Sequence, residues 1–495
     1  MPDIKIREEK IKERRKTTIF RDFVREICSR YPATLYKREG LISKFPDIGR
    51  VRITDVMNFE KWRDGLPYLE YDQTLSLFDN IAKLYKIVEL PNLFSYGSNE
   101  NANFTDLSVN SKNIHLSFLT VDDCENICYA FSIKGHCRNI FNSTAVLNYS
   151  ENVYFGEGIV NSSRIFFSKF IINSFDVRFS TNLTNCQNCI FCDNLENASY
   201  CIHNKQLTKE DFLKEKEKIL AQKNKFLPWY QELPFQGNNI GSHNVRWSFV
   251  QDSDSVEDGY LCYQIKNWRN IVMVGWEGVN ENMYDVCSSW AIKNNDFYAT
   301  SWAGIWSQNV FCSWHISWAN IYYSYYTDAC SYCLGCIWLK NKSFCILNKQ
   351  YTKEARLELA DKIFAQMDAD WSLWAFFPWW LSPFYFNDTM AYLVDDSFTK
   401  DEVAKEWYMR REEKITVDIP AWVEVIEVKD LSLYQWFDEQ WKRKINPDIL
   451  KKVIKDTNGD CYRIVPMELD FLQKHWLPLP ELHWLERIKL WFKFK

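Results

Sequence analysis

Short apolar–polar–aromatic runs recur along the middle of the chain at nearly constant spacing. Ile127-Cys-Tyr129, Val153-Tyr-Phe155 and Ile165-Phe-Phe167 are followed much later by Val310-Phe-Cys312 and Ile321-Tyr-Tyr323. A polar anchor precedes each run. In the first half the anchors fall at Asn113, Asn126, Asn139, Asn152, Arg164, Asp176 and Asn188, in steps of 13, 13, 13, 12, 12 and 12. The second half offers Asp258, Asn270, Asn282, Asp296, Asn309, Asn320 and Tyr332, with looser steps. β-Branched and aromatic residues in such runs predict strands, and Asn supplies the turns. Strands this short at a 12–13-residue period suit the coils of a parallel β-solenoid. An all-β domain of irregular meanders is the competing reading. In a stack, Cys124 and Cys137 belong to an inward ladder that Ser150, Ser162 and Ser174 continue. Asn113, Asn126, Asn139 and Asn152 stack at a turn and hydrogen-bond along the column.

A longer repeat lies over the short one. Cys186-x-x-Cys189-x-x-Cys192 with Cys201-Ile-His-Asn204-Lys205-Gln206-x-Thr208-Lys209-Glu210 reappears as Cys330-x-x-Cys333-x-x-Cys336 with Cys345-Ile-Leu-Asn348-Lys349-Gln350-x-Thr352-Lys353-Glu354, each position displaced by 144 residues. Each copy runs into a helix signal: Thr208 opens LTKEDFLKEKEKILAQK with a capping-box pattern, and Thr352 opens YTKEARLELADKIFAQM. Phe212, Leu213, Ile219 and Leu220 form the apolar stripe of the first helix; Leu357, Leu359, Ile363 and Phe364 form that of the second. An uncovered solenoid end is a sticky sheet edge, so both helices read as caps.

The fold class expected is mainly β: two tandem short-coil parallel β-solenoid modules with α-helical caps and small α+β terminal domains. The boundaries are a mixed N-terminal region at 1–95, module 1 at 96–206, a capping helix and linker at 207–240, module 2 at 241–350, a second capping helix and linker at 351–415, and a C-terminal α+β region at 416–495. Further helices are expected around Leu75 to Tyr85 and Asp401–Arg411.

Composition narrows the function classes. A net charge of −5 offers no global polycation for nucleic acid or anionic membrane. The run Arg14-Arg15-Lys16 reads as a solvated helix face. The opening MPDIKIREEKIKERRK has no apolar core of a secretory signal, and no stretch of about 20 apolar residues predicts a membrane span. A cytoplasmic location follows as the expectation, and there the 16 cysteines are reduced thiols or metal ligands.

The candidate chemistry is the paired cysteine set: Cys186, Cys189, Cys192 and Cys201, and Cys330, Cys333, Cys336 and Cys345. Thiolates at this spacing can converge on zinc or an iron–sulfur cluster. Cysteine is also a small hydrophobe that packs well, and a core ladder is the other reading. His203 could ligate, but its counterpart is Leu347, so it reads as polar surface. The seven histidines (115, 136, 203, 243, 315, 475 and 483) form no recognisable metal or triad motif. Gly156-Glu-Gly158 is a weak phosphate-loop signal. Asp122–Asp123 and Asp252–Asp254–Glu257–Asp258 do not fit a calcium loop.

Cys330-Ser-Tyr-Cys-Leu-Gly-Cys336, Asn341 to Glu354, Phe376-Phe-Pro378 with Ser382-Pro-Phe384, and Tyr462-Arg-Ile-Val-Pro466 with Leu477-Pro-Leu-Pro480 together resemble a family of Cys-rich repeat proteins, associated with zinc ribbons, of candidate-phylum bacteria. The resemblance implies C-x2-C pairs at the two ends; here only Cys28 precedes the repeats and only Cys461 follows Cys345. It implies no particular reaction.

It also draws attention to tryptophan. Of 22 tryptophans, 21 follow residue 228, while glycine numbers only 15. Trp338 aligns with Asn194 of the first copy, a residue type that tolerates a left-handed turn. Trp374, Trp379 and Trp484 stand where the resembling sequences favour small or turn residues. Either the second half is rich in tryptophan, or some of these positions are glycine in the native protein.

The function expected is that of a non-catalytic structural or interaction scaffold with a protein partner. The alternative is a zinc-binding protein using the two four-cysteine clusters, with nucleic acid an open partner. An enzyme is the weakest class, because no catalytic set emerges.

Overall fold

The computed structural model describes the chain except residues 1, 16–18, 57–64, 103, 223–224, 234–272, 276–279, 282–287, 291–293, 301–307, 374, 413–418, 440–441 and 491–495. The anchors Asp258, Asn270 and Asn282, the acidic run Asp252 to Asp258, His243 and Trp374 lie outside the described residues. The protein is mainly β, with a β-solenoid of about 14 turns within residues 104–346. Residues 1–94 and 236–412 form one compact unit; residues 95–235 and 413–495 form another.

In the second of these units, strands from Phe104–Val109 to Ser199–Ile202 pair in parallel. The coil is built from triplets. From Asp176 to His203 every third residue is left-handed: Asp176, Phe179, Asn182, Asn185, Asn188, Phe191, Asn194, Asn197, Tyr200 and His203 all have φ between +49° and +56°. Four triplets make one 12-residue coil with four corners and one inward side chain per triplet. The longer coils carry their extra residue at one corner, where two consecutive left-handed residues stand: Asp122–Asp123, Gly135–His136 and Asn148–Tyr149. That accounts for steps of both 12 and 13.

The inward side chains form four columns, two large and two small. Ile114, Ile127, Ile140, Val153, Ile165, Val177, Cys189 and Cys201 stack in one large column by direct strand register. Thr120, Ile133, Val146, Ile159, Ile171, Leu183 and Leu195 form the other. Between them run the small columns. The expected ladder is one of these, and its hydroxyls bond up the stack: Ser162 N–H donates to Ser150 Oγ at 3.1 Å, Ser174 N–H to Ser162 Oγ at 3.0 Å and Cys186 N–H to Ser174 Oγ at 2.9 Å. The opposite column repeats the device, with Cys192 N–H on Ser180 Oγ at 3.0 Å. A dry core this narrow closes only where branched residues face small ones. Gly156 therefore serves packing, since a Cβ there would collide with Val153 and Ile159. The phosphate-loop signal is a core position.

The corners form ladders of their own. Asn101, Asn113, Asn126, Asn139 and Asn152 pass side-chain amide hydrogen bonds of 2.9–3.3 Å along the stack, as expected. Another corner stacks Phe155, Phe167, Phe179, Phe191 and His203, with ring centroids 5.0–5.5 Å apart. The helix Phe226–Glu232 lies over this aromatic stack through Phe226, Trp229 and Tyr230.

The other unit contains parallel pairing from Asn294–Thr300 to Cys345–Ile346. Its large column places Ile321 against Cys333, and a small column runs Ser313, Ser324, Cys336. Asn309, Asn320 and Tyr332 are left-handed corners.

The duplicated motif folds the same way twice. Cys201 and Ile202 pair antiparallel with Gln206 and Lys205; Cys345 and Ile346 pair with Gln350 and Lys349. The Asn204 amide accepts from Asp193 N–H at 2.9 Å and donates to Asp193 O at 2.8 Å. Asn348 does the same to Ile337, at 2.9 and 3.0 Å. Each asparagine thus satisfies backbone groups that the final coil would leave unpaired. Helices Lys209–Leu220 and Lys353–Ala369 follow, N-capped by Thr208 and Thr352. The predicted stripes need correction. Leu213 is exposed while Phe212 is buried, and the second helix turns Arg356, Ala360, Ile363, Phe364 and Met367 inward, leaving Leu357 and Leu359 half-buried.

Candidate functional site

The eight predicted cysteines come together as two groups of four. Cys186, Cys189 and Cys192 take three consecutive inward positions of one coil, and Cys201 stacks on Cys189 in the next. The Cys189 thiol is in hydrogen-bond contact with Cys186, Cys192 and Cys201. Cys333 has the same contacts with Cys330, Cys336 and Cys345. All eight are buried free thiols. They also reach carbonyls of their own coil, as with Cys186 to Thr184 O and Cys192 to Ile190 O, both at 3.3 Å.

Contact splits their acidities. The hydrogen bond with Cys189 pulls Cys186 below the ordinary thiol value, to about 7, and lowers Cys192, while Cys189 itself is pushed up by those same bonds. In the second group Cys345 is lowered by its bond with Cys333, which is raised. Among the described residues, no group of three or more His, Cys, Asp or Glu side chains is arranged to hold a metal ion. His203 is exposed and stacks on Phe191, while Leu347 is buried, so the two positions share a corner and no chemistry.

A second feature was not read from the sequence. In the unit holding residues 95–235 and 413–495, the amide ladder floors a groove of about 760 Å³. Its floor includes Asn113, Asn126 and Asn139; His115 lines it, and Asp470 and Lys474 stand on the far wall. The His115 ring packs against Phe104 and Tyr129 at 5.8 Å, and burial lowers its pKa, so the imidazole is neutral near pH 7. The far wall is the helix Pro466–His475, fixed by a buried network. Arg487 donates to Glu468 and to Asn142, each at 2.8 Å, and sits over the Tyr129 ring at 4.8 Å. Tyr462 O–H donates to Pro480 O at 2.5 Å, joining the two C-terminal motif strings. Asparagines at multiples of three along the corners were the signal for this floor; the wall comes from more than 300 residues away and has no such signal.

Among the described residues no helix is long and apolar enough to cross a membrane. Comparison with protein-family models, curated proteins and solved structures finds no match to this chain.

Proposed function

We propose that the protein is a non-catalytic scaffold, two tandem solenoid modules with helical caps, that receives an extended segment of a protein partner along its amide ladder. The duplicated end motif, folded alike in both copies, supports two modules. The groove carries the binding reading: a row of asparagine amides, set at the roughly 4.8 Å spacing of stacked strands, lines a cleft with peptide-like donors and acceptors that an extended segment can hydrogen-bond. Free thiols among the described cysteines agree with a reducing, cytoplasmic setting.

The test uses extended peptides selected by display against the full chain. Asn126→Gly with Asn139→Gly removes the groove amides while keeping left-handed corners, and should abolish binding. Asn161→Gly with Asn173→Gly, which breaks an exposed amide pair outside the groove lining, should not. Unchanged binding after the first pair of substitutions rejects the reading.

The convergence of three thiols on Cys189, and of three on Cys333, is the observation behind a second reading, zinc held in each cysteine group, although the thiols as they stand are not arranged to hold a metal ion. Metal analysis of the purified chain decides it. About two zinc ions per chain, falling to about one on Cys330→Ser with Cys333→Ser, would establish structural metal; metal-free protein that stays folded removes it.

A further inference from the structure

Three helices end in the same way. After Lys353–Ala369, Trp371 N–H donates to Asp368 O at 3.3 Å and Ser372 N–H to Met367 O at 2.9 Å. After Lys400–Lys405, Trp407 N–H donates to Ala404 O at 2.9 Å and Tyr408 N–H to Val403 O at 3.0 Å. After Pro466–His475, Trp476 N–H donates to Gln473 O at 3.3 Å and Leu477 N–H to Leu472 O at 2.9 Å. This paired closure requires a left-handed residue just past the helix, and glycine is the residue that takes it without a Cβ penalty. Here the position is tryptophan each time, with φ of +58°, +61° and +58°.

The coils do not excuse this. Their left-handed corners accept many residue types because the corner repeats along the stack of coils, which fixes the same backbone at every level. Outside the coils and the Asn204 and Asn348 turns that close them, the non-glycine left-handed residues among those described are Glu39 and these three tryptophans. All three are also exposed, at 75%, 68% and 46%. A bulky aromatic in the least favourable backbone region, largely in water, contradicts both its conformational and its hydrophobic preference. The positions singled out by resemblance differ: Trp379 opens a 3-10 turn and Trp484 begins a helix, neither with positive φ.

We infer that residues 371, 407 and 476 are glycine in the protein as its own organism makes it. Not every tryptophan belongs to this class. Trp229 sits in a helix with its ring edge-on to Phe179 and Phe191 at 5.1 and 4.8 Å, and is a packed tryptophan. The consequence for function is direct: the exposed indoles at 371, 407 and 476 are not a docking surface.

Peptide mass spectrometry of the protein purified from its source decides the matter. Peptides spanning 371, 407 and 476 should carry glycine and that spanning 229 tryptophan, with an intact mass below 59.2 kDa by whole multiples of the Trp–Gly difference. Tryptophan at any of the three helix ends overturns the inference. In the recombinant chain, Trp371→Gly, Trp407→Gly and Trp476→Gly should each raise the melting temperature, whereas Trp229→Gly lowers it. A fall for the first three would remove the conformational argument.

Discussion

The end coils of the two copies share an interior and differ in their coats. In the first, the corners at Asn194 and His203 face water. In the second, the matching Trp338 and Leu347 are buried. Phe94 packs on Tyr326 at 5.0 Å and on Trp338 at 6.3 Å, and Leu69 N–H donates to Leu347 O at 3.0 Å. The first ladder takes other coats: Phe471 on Phe141 at 4.4 Å, and the helix Phe226–Glu232 on the aromatic corner. Inward positions are thus dictated by the stack itself, while outward positions answer to whichever segment covers them. The interior can be duplicated unchanged, and the exterior is free to specialise.

The sharpest way to break that comparison is to cut matching large-column residues. Ile165→Ala and Ile321→Ala should each cost about 2–5 kcal/mol by denaturant unfolding; a much smaller loss for Ile321 would mean that the second stack is not packed like the first. Acid should act on the unit with the first ladder. Burial lowers both His475 and His483 to about 4. Unfolded imidazoles protonate near pH 6.5 while the folded ones stay neutral. Their contribution is therefore intact above pH 6.5 and lost as pH falls from there to 4. His475→Gln with His483→Gln should flatten this part of the unfolding midpoint's pH dependence.

The end-closing asparagines should differ between copies. Asn348 is half-buried and also donates to Pro67 O at 3.2 Å, whereas Asn204 is exposed. Asn348→Gly should cost about 1–2 kcal/mol and Asn204→Gly under about 1 kcal/mol, since water replaces the amide there. Hydrogen exchange at the Ile337 and Asp193 amides would report each loss locally. The smallest effect is expected from Cys189→Val, which continues the column of Ile165 and Val177 and should change stability by less than about 1.5 kcal/mol. A collapse of folding would instead point to metal held by these thiols.

The repeat anchors were legible because stacked positions share one environment: Asn113 to Asn152 announce a corner, and Cys124 to Ser174 a small column. The triplet was legible in principle through Asn182, Asn185, Asn188, Asn194 and Asn197. It was obscured where Phe179, Phe191 and Tyr200 take the same left-handed corner, because a propensity scale assigns aromatics to strands. Self-stacking overrides the local penalty there, and stacking is invisible to local pattern. For the cysteines, spacing showed that the two sets were equivalent but not that three lie around one coil with the fourth above the middle one.

Period, duplication, the small-residue ladder and the helix starts at Thr208 and Thr352 were determined by the sequence alone, since each rests on short-range periodicity or on residue type. The tertiary structure decided which corners are covered, where the groove lies, which thiols meet and which tryptophans stand on glycine backbone. Those properties depend on what segments hundreds of residues apart bring to the same coil, and on dihedral angles that no one-dimensional pattern records.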